Sequence, residues 1–282
     1  MTSNLSLNAD LHCHSIVSDG TLTPEELAQR AYANGVRLWS LTDHDELGGQ
    51  ERARAAAKSL GMEYAAGVEI SVTWASQTIH IVGLGLDPAH VGLVEGLRQT
   101  REGRGNRAKL MAEQLLGVGI PGAYEGALHF AGNHQLISRT HFARFLVEQG
   151  VCRDTEQVFK NYLVEDKPGY VPHQWASLED AVTWIRAAGG IAVIAHPGRY
   201  KLNAIQRDQL FLRFKELGGQ GIEVITGSHS PDQYKTYGKI AEQYGFLASR
   251  GSDFHDPQES YIDLGMLPHL PDHLTPVWTA FH

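Results

Sequence analysis

The stretch "NADLHCHSIVSDG", residues 8 to 20, decides how the rest of the chain is read. A short apolar run leads into His12 and His14, two positions apart, and Asp19 follows. Alternate side chains of a β-strand share a face, so both imidazoles point one way and Cys13 the other. Two histidines and a carboxylate meeting near a strand end form a metal-ligand pattern. An ordinary pair of packed histidines is the competing reading.

Other strand ends repeat the pattern. "VRLWSLTDHD" finishes on Asp43, His44 and Asp45, "GVEIS" carries Glu69, and "TIHIVG" carries His80. Further along, "VIAHPG" ends on His196, and "SRGSDFH" brings Asp253 and His255, again two apart. In parallel barrels the C-terminal strand ends face one mouth, and reactive groups collect there. Nine of these at one rim (His12, His14, Asp19, His44, Glu69, His80, His196, Asp253 and His255) are too many for one ion and suit two or three. With no thiolate in the set, Mn²⁺, Zn²⁺ and Fe²⁺ are all compatible.

Helices separate these strands. "LTPEELAQRAYANG" has Thr23 as N-cap, Pro24 in the first turn, Glu26 completing a capping box and Gly35 as terminator. "GGQERARAAAKSLG", "SLEDAVTWIRAAGG", "QLFLRFKELGG" and "SPDQYKTYGKIAEQYG" read as further helices. Strand–helix alternation implies parallel pairing and an α/β architecture, with a barrel favoured by the number of units. Residues 98–168 break the rhythm with three helical runs, which suggests an inserted helical subdomain on a framework of residues 1–97 and 169–282.

Composition narrows the class. The 282 residues suffice for a large core, and no apolar run is long enough to cross a bilayer. Only two cysteines, without a CxxC, and an N-terminus unlike a secretory signal point to the reducing cytoplasm. A net charge of −8 argues against duplex DNA as a partner. Between Arg98 and Arg144, however, seven basic residues face three acids. That local excess of four leaves −12 for the remainder, and a cationic patch in an acidic protein suits a small or terminal anionic ligand.

Taken in order, "DLHCHSIVSDGTLTPEEL", "LTDHD", "GVEIS", "AHPGRY" and "GSDFH" resemble the motifs of the PHP (polymerase and histidinol phosphatase) family. The resemblance implies a distorted, TIM-like (β/α)7 barrel holding two or three divalent cations. Mn²⁺ is taken first, with Zn²⁺, Fe²⁺ or Mg²⁺ as alternatives. It further implies that His12, His14, Glu69 and Asp253 hold one metal, that Asp19, His44 and His255 hold a second, and that Glu69, His80 and His196 hold a third, with Glu69 bridging. Clustered divalent ions make a hydroxide nucleophile available near neutral pH and bind phosphoryl oxygens as charge develops. Arg199, three residues after His196, is placed to contact the same phosphate. Asp45, beside a ligand, is an expected orienting group or proton donor.

"ISRTHFAR" in the insert resembles a segment of the PHP branch that removes the 3′-phosphate from nucleoside 3′,5′-bisphosphates or trims short 5′-phosphorylated RNA. There a second anionic pocket takes the 5′-phosphate. Ser138, Arg139 and Arg144 are the expected contacts, joined by Arg104, Lys109 and Lys167. An arginine-bearing helix exposed for solubility is the plain alternative. Histidinol-phosphate phosphatase is the rival activity, and a non-catalytic metal-stabilised scaffold the rival class. The sequence leaves the oligomeric state open.

Overall fold

The computed structural model describes residues 7–173 and 175–281. Its strands form two sheets. In the smaller one β1 (Ala9–Asp10), β2 (Leu38–Trp39) and β3 (Glu63–Tyr64) run parallel. The larger contains β4 (Gly67–Trp74), β5 (Gln77–Leu84), β6 (Ile191–Ile194), β7 (Gly221–Thr226) and β8 (Leu247–Gly251), in that order. Helices α1 (Pro24–Ala33) and α2 (Gln50–Ser59) follow β1 and β2, α7 (Leu178–Ala187) precedes β6, and α8 (Ala204–Glu216) and α9 (Pro231–Tyr244) follow β6 and β7.

Local chemistry sets these boundaries. The backbone N–H of Glu26 donates to Thr23 Oγ1 at 3.2 Å while Thr23 N–H donates to Glu26 Oε2 at 2.8 Å, the reciprocal cap expected for α1. Ser230 and Gln233 cap α9 in the same way. The buried apolar strands β6 and β7, with the α7 and α8 faces carrying Ile185, Leu210 and Phe214, make the main core.

The expectation of an all-parallel (β/α)7 barrel holds only for the α/β class. Among the described residues no single ladder closes: the two sheets stay separate, and β5 runs antiparallel to both β4 and β6. The reason is a two-residue hairpin turn. Ala75 (φ 47°) and Ser76 (φ 63°) both sit in the left-handed region, as a type I′ turn requires. Neither residue is Gly or Asn, so the sequence gives two strand-like runs with no hairpin signal.

Irregular backbone joins the sheets at two seams. Beyond β1, Leu11 N–H donates to Arg250 O (3.0 Å), Asp253 N–H to His12 O (2.8 Å) and His14 N–H to Phe254 O (2.8 Å). Beyond β2, Asp45 N–H donates to Glu69 O (2.9 Å) and Glu69 N–H to Asp43 O (3.2 Å). These seams carry His12, His14, His44 and Asp253 past the ends of the regular ladders.

The remaining helices are α3 (Val91–Gly117), α4 (Ala123–Phe130), α5 (Arg139–Glu148) and α6 (Thr155–Val158), the last running into a π-turn over Phe159–Leu163. Position 98 lies inside α3, not at its start. Leu93 and Leu97 belong to the main core, whereas Ala108, Met111 and Leu115 pack in a separate core with Phe142, Leu146, Val158 and Leu163. One 27-residue helix therefore spans both cores. No helix among the described residues is long and apolar enough to cross a membrane.

Candidate metal centre and substrate cleft

The seams bring the nine expected residues to one place. His12 Nε2 and His14 Nε2 lie 3.2 Å apart. Glu69 Oε2 is 3.3 and 3.2 Å from them, and Asp253 Oδ1 is 3.5 and 3.3 Å from them. Tetrahedral ligands at about 2.0–2.1 Å from a cation stand roughly 3.3–3.4 Å from one another, so this spacing fits an ion at the centre. Asp19 Oδ1 gathers a second group: His255 Nε2 at 3.5 Å, His44 Nε2 at 3.8 Å and His14 Nδ1 at 3.9 Å. A third surrounds the other side of Glu69. His80 Nδ1 lies 2.8 Å and His196 Nε2 2.9 Å from Oε1, and His44 Nδ1 lies 3.0 Å from Oε2.

Two details differ from the expected sets. His14 presents one nitrogen to the first group and the other to the second, and His44 stands between the second and third. His80 reaches the rim although it lies in the antiparallel strand, because it faces Ser71 across the ladder and shares the Glu69 face.

Donor chemistry tests whether cations fit. His14 Nδ1, Asp19 Oδ1, His44 Nδ1, Glu69 Oε2, His80 Nδ1 and His196 Nδ1 are buried with no hydrogen-bond partner among the described residues. Buried polar atoms are rarely left in that state. His44 Nδ1 and Glu69 Oε2 lie 3.0 Å apart without a hydrogen bond between them, as ligands converging on a common centre do. The cage is strongly coupled electrically: against the cost of burial, neighbouring carboxylates hold the His12 and His14 rings above the ordinary histidine value. Burial alone would raise the Glu69 carboxyl, but His80, His44 and His12 outweigh it and hold the group well below the usual carboxylate range. Burial and the Arg199 charge push His196 down to about 3, and burial with the His14 charge pushes His255 down to about 4. Their rings are neutral near pH 7, the form that ligates metals.

The backbone is bent to this purpose. Asp45 (φ 50°), His196 (φ 25°) and Asp253 (φ 57°) are non-glycine residues with positive φ, a strain that clusters at functional sites. Around the ligands stands a set of orienting carboxylates. Glu223 Oε1 is 2.7 Å from His12 Nδ1, and its Oε2 accepts the His196 backbone N–H at 2.6 Å. Asp43 accepts from Ser15 N–H (2.7 Å), Ser15 Oγ (2.7 Å) and Ser18 Oγ (2.6 Å), bracing the loop that presents Asp19. Sequence reasoning does not reach Glu223; its one signal is a lone acid in the otherwise apolar "GIEVIT" of β7.

The cleft above the cage is lined by His44, Glu69, His80, His196, Asp253 and His255. The same cleft is lined by Arg104, Arg107 and Arg139, with Ser138, Thr140 and Trp175. Burial, with the neighbouring Arg139 and Arg104 charges, pulls the Arg107 guanidinium down to about 9, which marks crowded positive charge that an anion relieves. The Arg104 and Arg107 guanidiniums lie over the Trp175 ring at 4.8 and 5.4 Å. Arg107 is absent from the contacts expected on sequence.

Other expected residues stand elsewhere. Asp45 does not line the cleft: its carboxylate pairs with Arg104 and accepts from Ser71 N–H (2.8 Å) and Ser71 Oγ (3.0 Å). Both oxygens are engaged as acceptors, which corrects the proton-donor expectation to an anchor for α3. Arg144 is tied to Glu259 (3.0 Å) and donates to Asp19 O (2.9 Å) behind the ligand loop, so it supports that loop and lies off the cleft lining. Lys109 and Lys167 are exposed and line no part of the cleft. Ser138 Oγ donates to Asp19 Oδ2 at 3.2 Å. Arg199 Nη1 donates to Asp253 Oδ2 at 2.8 Å, with half of its side chain exposed at the mouth.

The PHP domain family profile matches residues 10–208. The chain belongs to the PHP domain family. It is 51% identical over 271 residues to a 3′,5′-nucleoside bisphosphate phosphatase of Chromobacterium violaceum, covering 96% of this chain and 95% of that one. It is 43% identical over 277 residues to the 5′-3′ exoribonuclease Rnm of Escherichia coli, covering 98% and 94%. A solved structure from Bifidobacterium adolescentis, described as a metal-dependent phosphoesterase, superposes with a TM-score of 0.81 at 28% identity over 97% of this chain and 94% of that one.

Proposed function

We propose that this PHP protein is a metal-dependent phosphoesterase that removes the 3′-phosphate of nucleoside 3′,5′-bisphosphates, releasing the nucleoside 5′-monophosphate and phosphate. One observation carries the reading: a single cleft is lined both by a histidine–carboxylate cage and by three guanidiniums. Two anion sites in one cleft suit a substrate with two phosphates. Histidinol phosphate has one phosphate and an ammonium group, which three arginines would repel. The scaffold reading leaves the unpartnered ligand atoms without a purpose.

His12, His14, Glu69 and Asp253 form one cation site, Asp19, His44 and His255 a second, and Glu69 with His80 and His196 a third, with Mn²⁺ the proposed ion. Bound divalent cations would supply Lewis-acid stabilisation of the phosphoryl oxygens and a nucleophilic water near neutral pH. The chain's own residues do the rest. Arg104, Arg107 and Arg139, reached through the helical segment 98–168, hold the 5′-phosphate with charge-assisted bonds. Thr140 adds a hydroxyl beside it, and Ser138, whose hydroxyl donates to Asp19, braces that ligand at the edge of the pocket. Arg199 leaves Asp253 to clamp an oxygen of the 3′-phosphate as charge builds, which its half-exposed position permits. Two free cysteines suit a cytoplasmic setting.

The test compares Arg139→Ala on adenosine 3′,5′-bisphosphate and on a simple aryl phosphate. The expected result is a KM for the bisphosphate raised at least ~10-fold, as loss of one charged hydrogen-bond partner implies, with the aryl phosphate little changed. Equal losses on both would remove the 5′-phosphate assignment.

A further inference from the structure

Arg199 closes a 3₁₀ turn, Pro197–Arg199, that starts directly after the ligand His196. Half of its side chain is exposed, so how far the guanidinium reaches depends on how firmly the turn beneath it is held.

Two residues at the head of α9 grip the middle of that turn. Gly198 N–H donates to His229 Nε2 at 2.9 Å, and Gln233 Nε2 donates to Gly198 O at 3.3 Å. Both backbone polar groups of one residue are thereby fixed. A Cβ on Gly198 would stand 2.5 Å from Gln233 Nε2 and 2.8 Å from His229 Cδ2, so glycine is what admits the grip. Neither His229 nor Gln233 lines the cleft.

His229 is set up as an acceptor. It is buried, its ring stacks on Tyr237 with centroids 4.7 Å apart, and its Nδ1 faces Val224 O at 3.2 Å. A carbonyl only accepts, so Nδ1 carries the proton and Nε2 offers its lone pair to Gly198. Burial outweighs the Val224 carbonyl and, with the Arg199 charge, pushes the ring down to about 4, which keeps it neutral near pH 7. Gln233 is equally specific. Its Oε1 accepts Ser230 N–H at 2.8 Å in the α9 capping box, leaving Nε2 for Gly198. Glutamate fills a capping box as well as glutamine does, but its carboxylate has no hydrogen to donate.

We propose that His229 and Gln233 are positioning residues that lock the Pro197–Arg199 turn so that Arg199 meets the transferring phosphate. Glu223 holds the entry of the turn through the His196 N–H, and this pair holds the arginine end. The inference rests on the role of Arg199 in the proposed function.

The experiment measures kcat and KM of the Mn²⁺-loaded protein on adenosine 3′,5′-bisphosphate, and Mn²⁺ affinity by calorimetry. His229→Phe and Gln233→Glu are each made in the wild-type and in the Arg199→Ala background. In the wild type each should lower kcat ~10- to 100-fold, the cost of slightly misplacing a reacting group. KM should stay within about two-fold, because the 5′-phosphate arginines are untouched, and Mn²⁺ affinity should not change. Gln233→Glu keeps the cap, so its melting temperature should hold or rise with a carboxylate at the helix N-terminus. In the Arg199→Ala background neither change should cost anything further, since groups acting through one residue are not additive. The same fold-loss in that background, an Mn²⁺ affinity that falls along with kcat, or an unchanged kcat in either variant overturns the assignment. Wild-type kcat in Arg199→Ala alone removes this inference while sparing the phosphatase reading, and a wild-type protein inactive on the bisphosphate removes that reading.

Discussion

Glu223 shows how a buried acid can serve a site without touching a substrate. One oxygen fixes the His12 ring and the other the His196 backbone, so two ligands from different strands share one orienting group. Glu223→Gln keeps the shape and removes the charge. Metal affinity should fall ~10- to 100-fold, the usual cost of losing a carboxylate behind a ligating histidine, read by calorimetric titration of Mn²⁺ into the apo protein. The nine rim residues are legible because HxH and DxH at strand ends carry their geometry in their spacing. The rest is hidden by partners far along the chain. Nothing near Arg144 announces Glu259, 115 residues away, and nothing near Asp45 announces Arg104, 59 residues away. A count of basic residues therefore points to Arg144, Lys109 and Lys167, which lie off the cleft lining, and passes over Arg107, which lines it.

At the scale of elements, helices are the easier part. Thr23-Pro24 and Ser230-Pro231 announce α1 and α9, and each begins at the predicted proline. The β4–β5 hairpin escapes a sequence reading because Ala75 and Ser76 adopt left-handed φ that neither prefers. The same fact makes a prediction. Combining Ala75→Asn with Ser76→Gly supplies the residue pair that this turn favours and relieves the strain. Stability should rise by roughly 0.5–1 kcal/mol, or about 2 °C in a thermal melt for a chain of this size. Gly251 is a tighter constraint. A Cβ there would stand 2.3 Å from His12 Cβ and 2.7 Å from His12 N, so Gly251→Ala must push β8 away from the ligand strand. We expect lost Mn²⁺ binding together with a lower melting temperature, by calorimetry and by circular dichroism respectively.

Across the whole molecule the cage is a concentration of like charge. Asp19 and Glu69 are buried, Asp253 stands half-buried beside them, and all three stay ionised, so they need cations near them. Removing divalent ions with a chelator should lower the melting temperature, and Mn²⁺ should restore it in a concentration-dependent way. At an ion concentration 100-fold above Kd the linkage is about 2.7 kcal/mol, or roughly 5–10 °C by melting. A melting temperature indifferent to chelation would count against the cation sites. The α/β class and the helical interruption can be read from periodicity; the split between two sheets cannot, since it depends on which strand edges find each other.

The seam between β1 and β8 has a consequence for how the protein is made. Asp253 follows His12 by 241 residues, yet their backbones are bonded to each other. A nascent polypeptide still short of residue 253 lacks one wall of the cage and cannot capture its ions tightly. The cage is thus completed, and hydrolysis made possible, only once synthesis has passed His255.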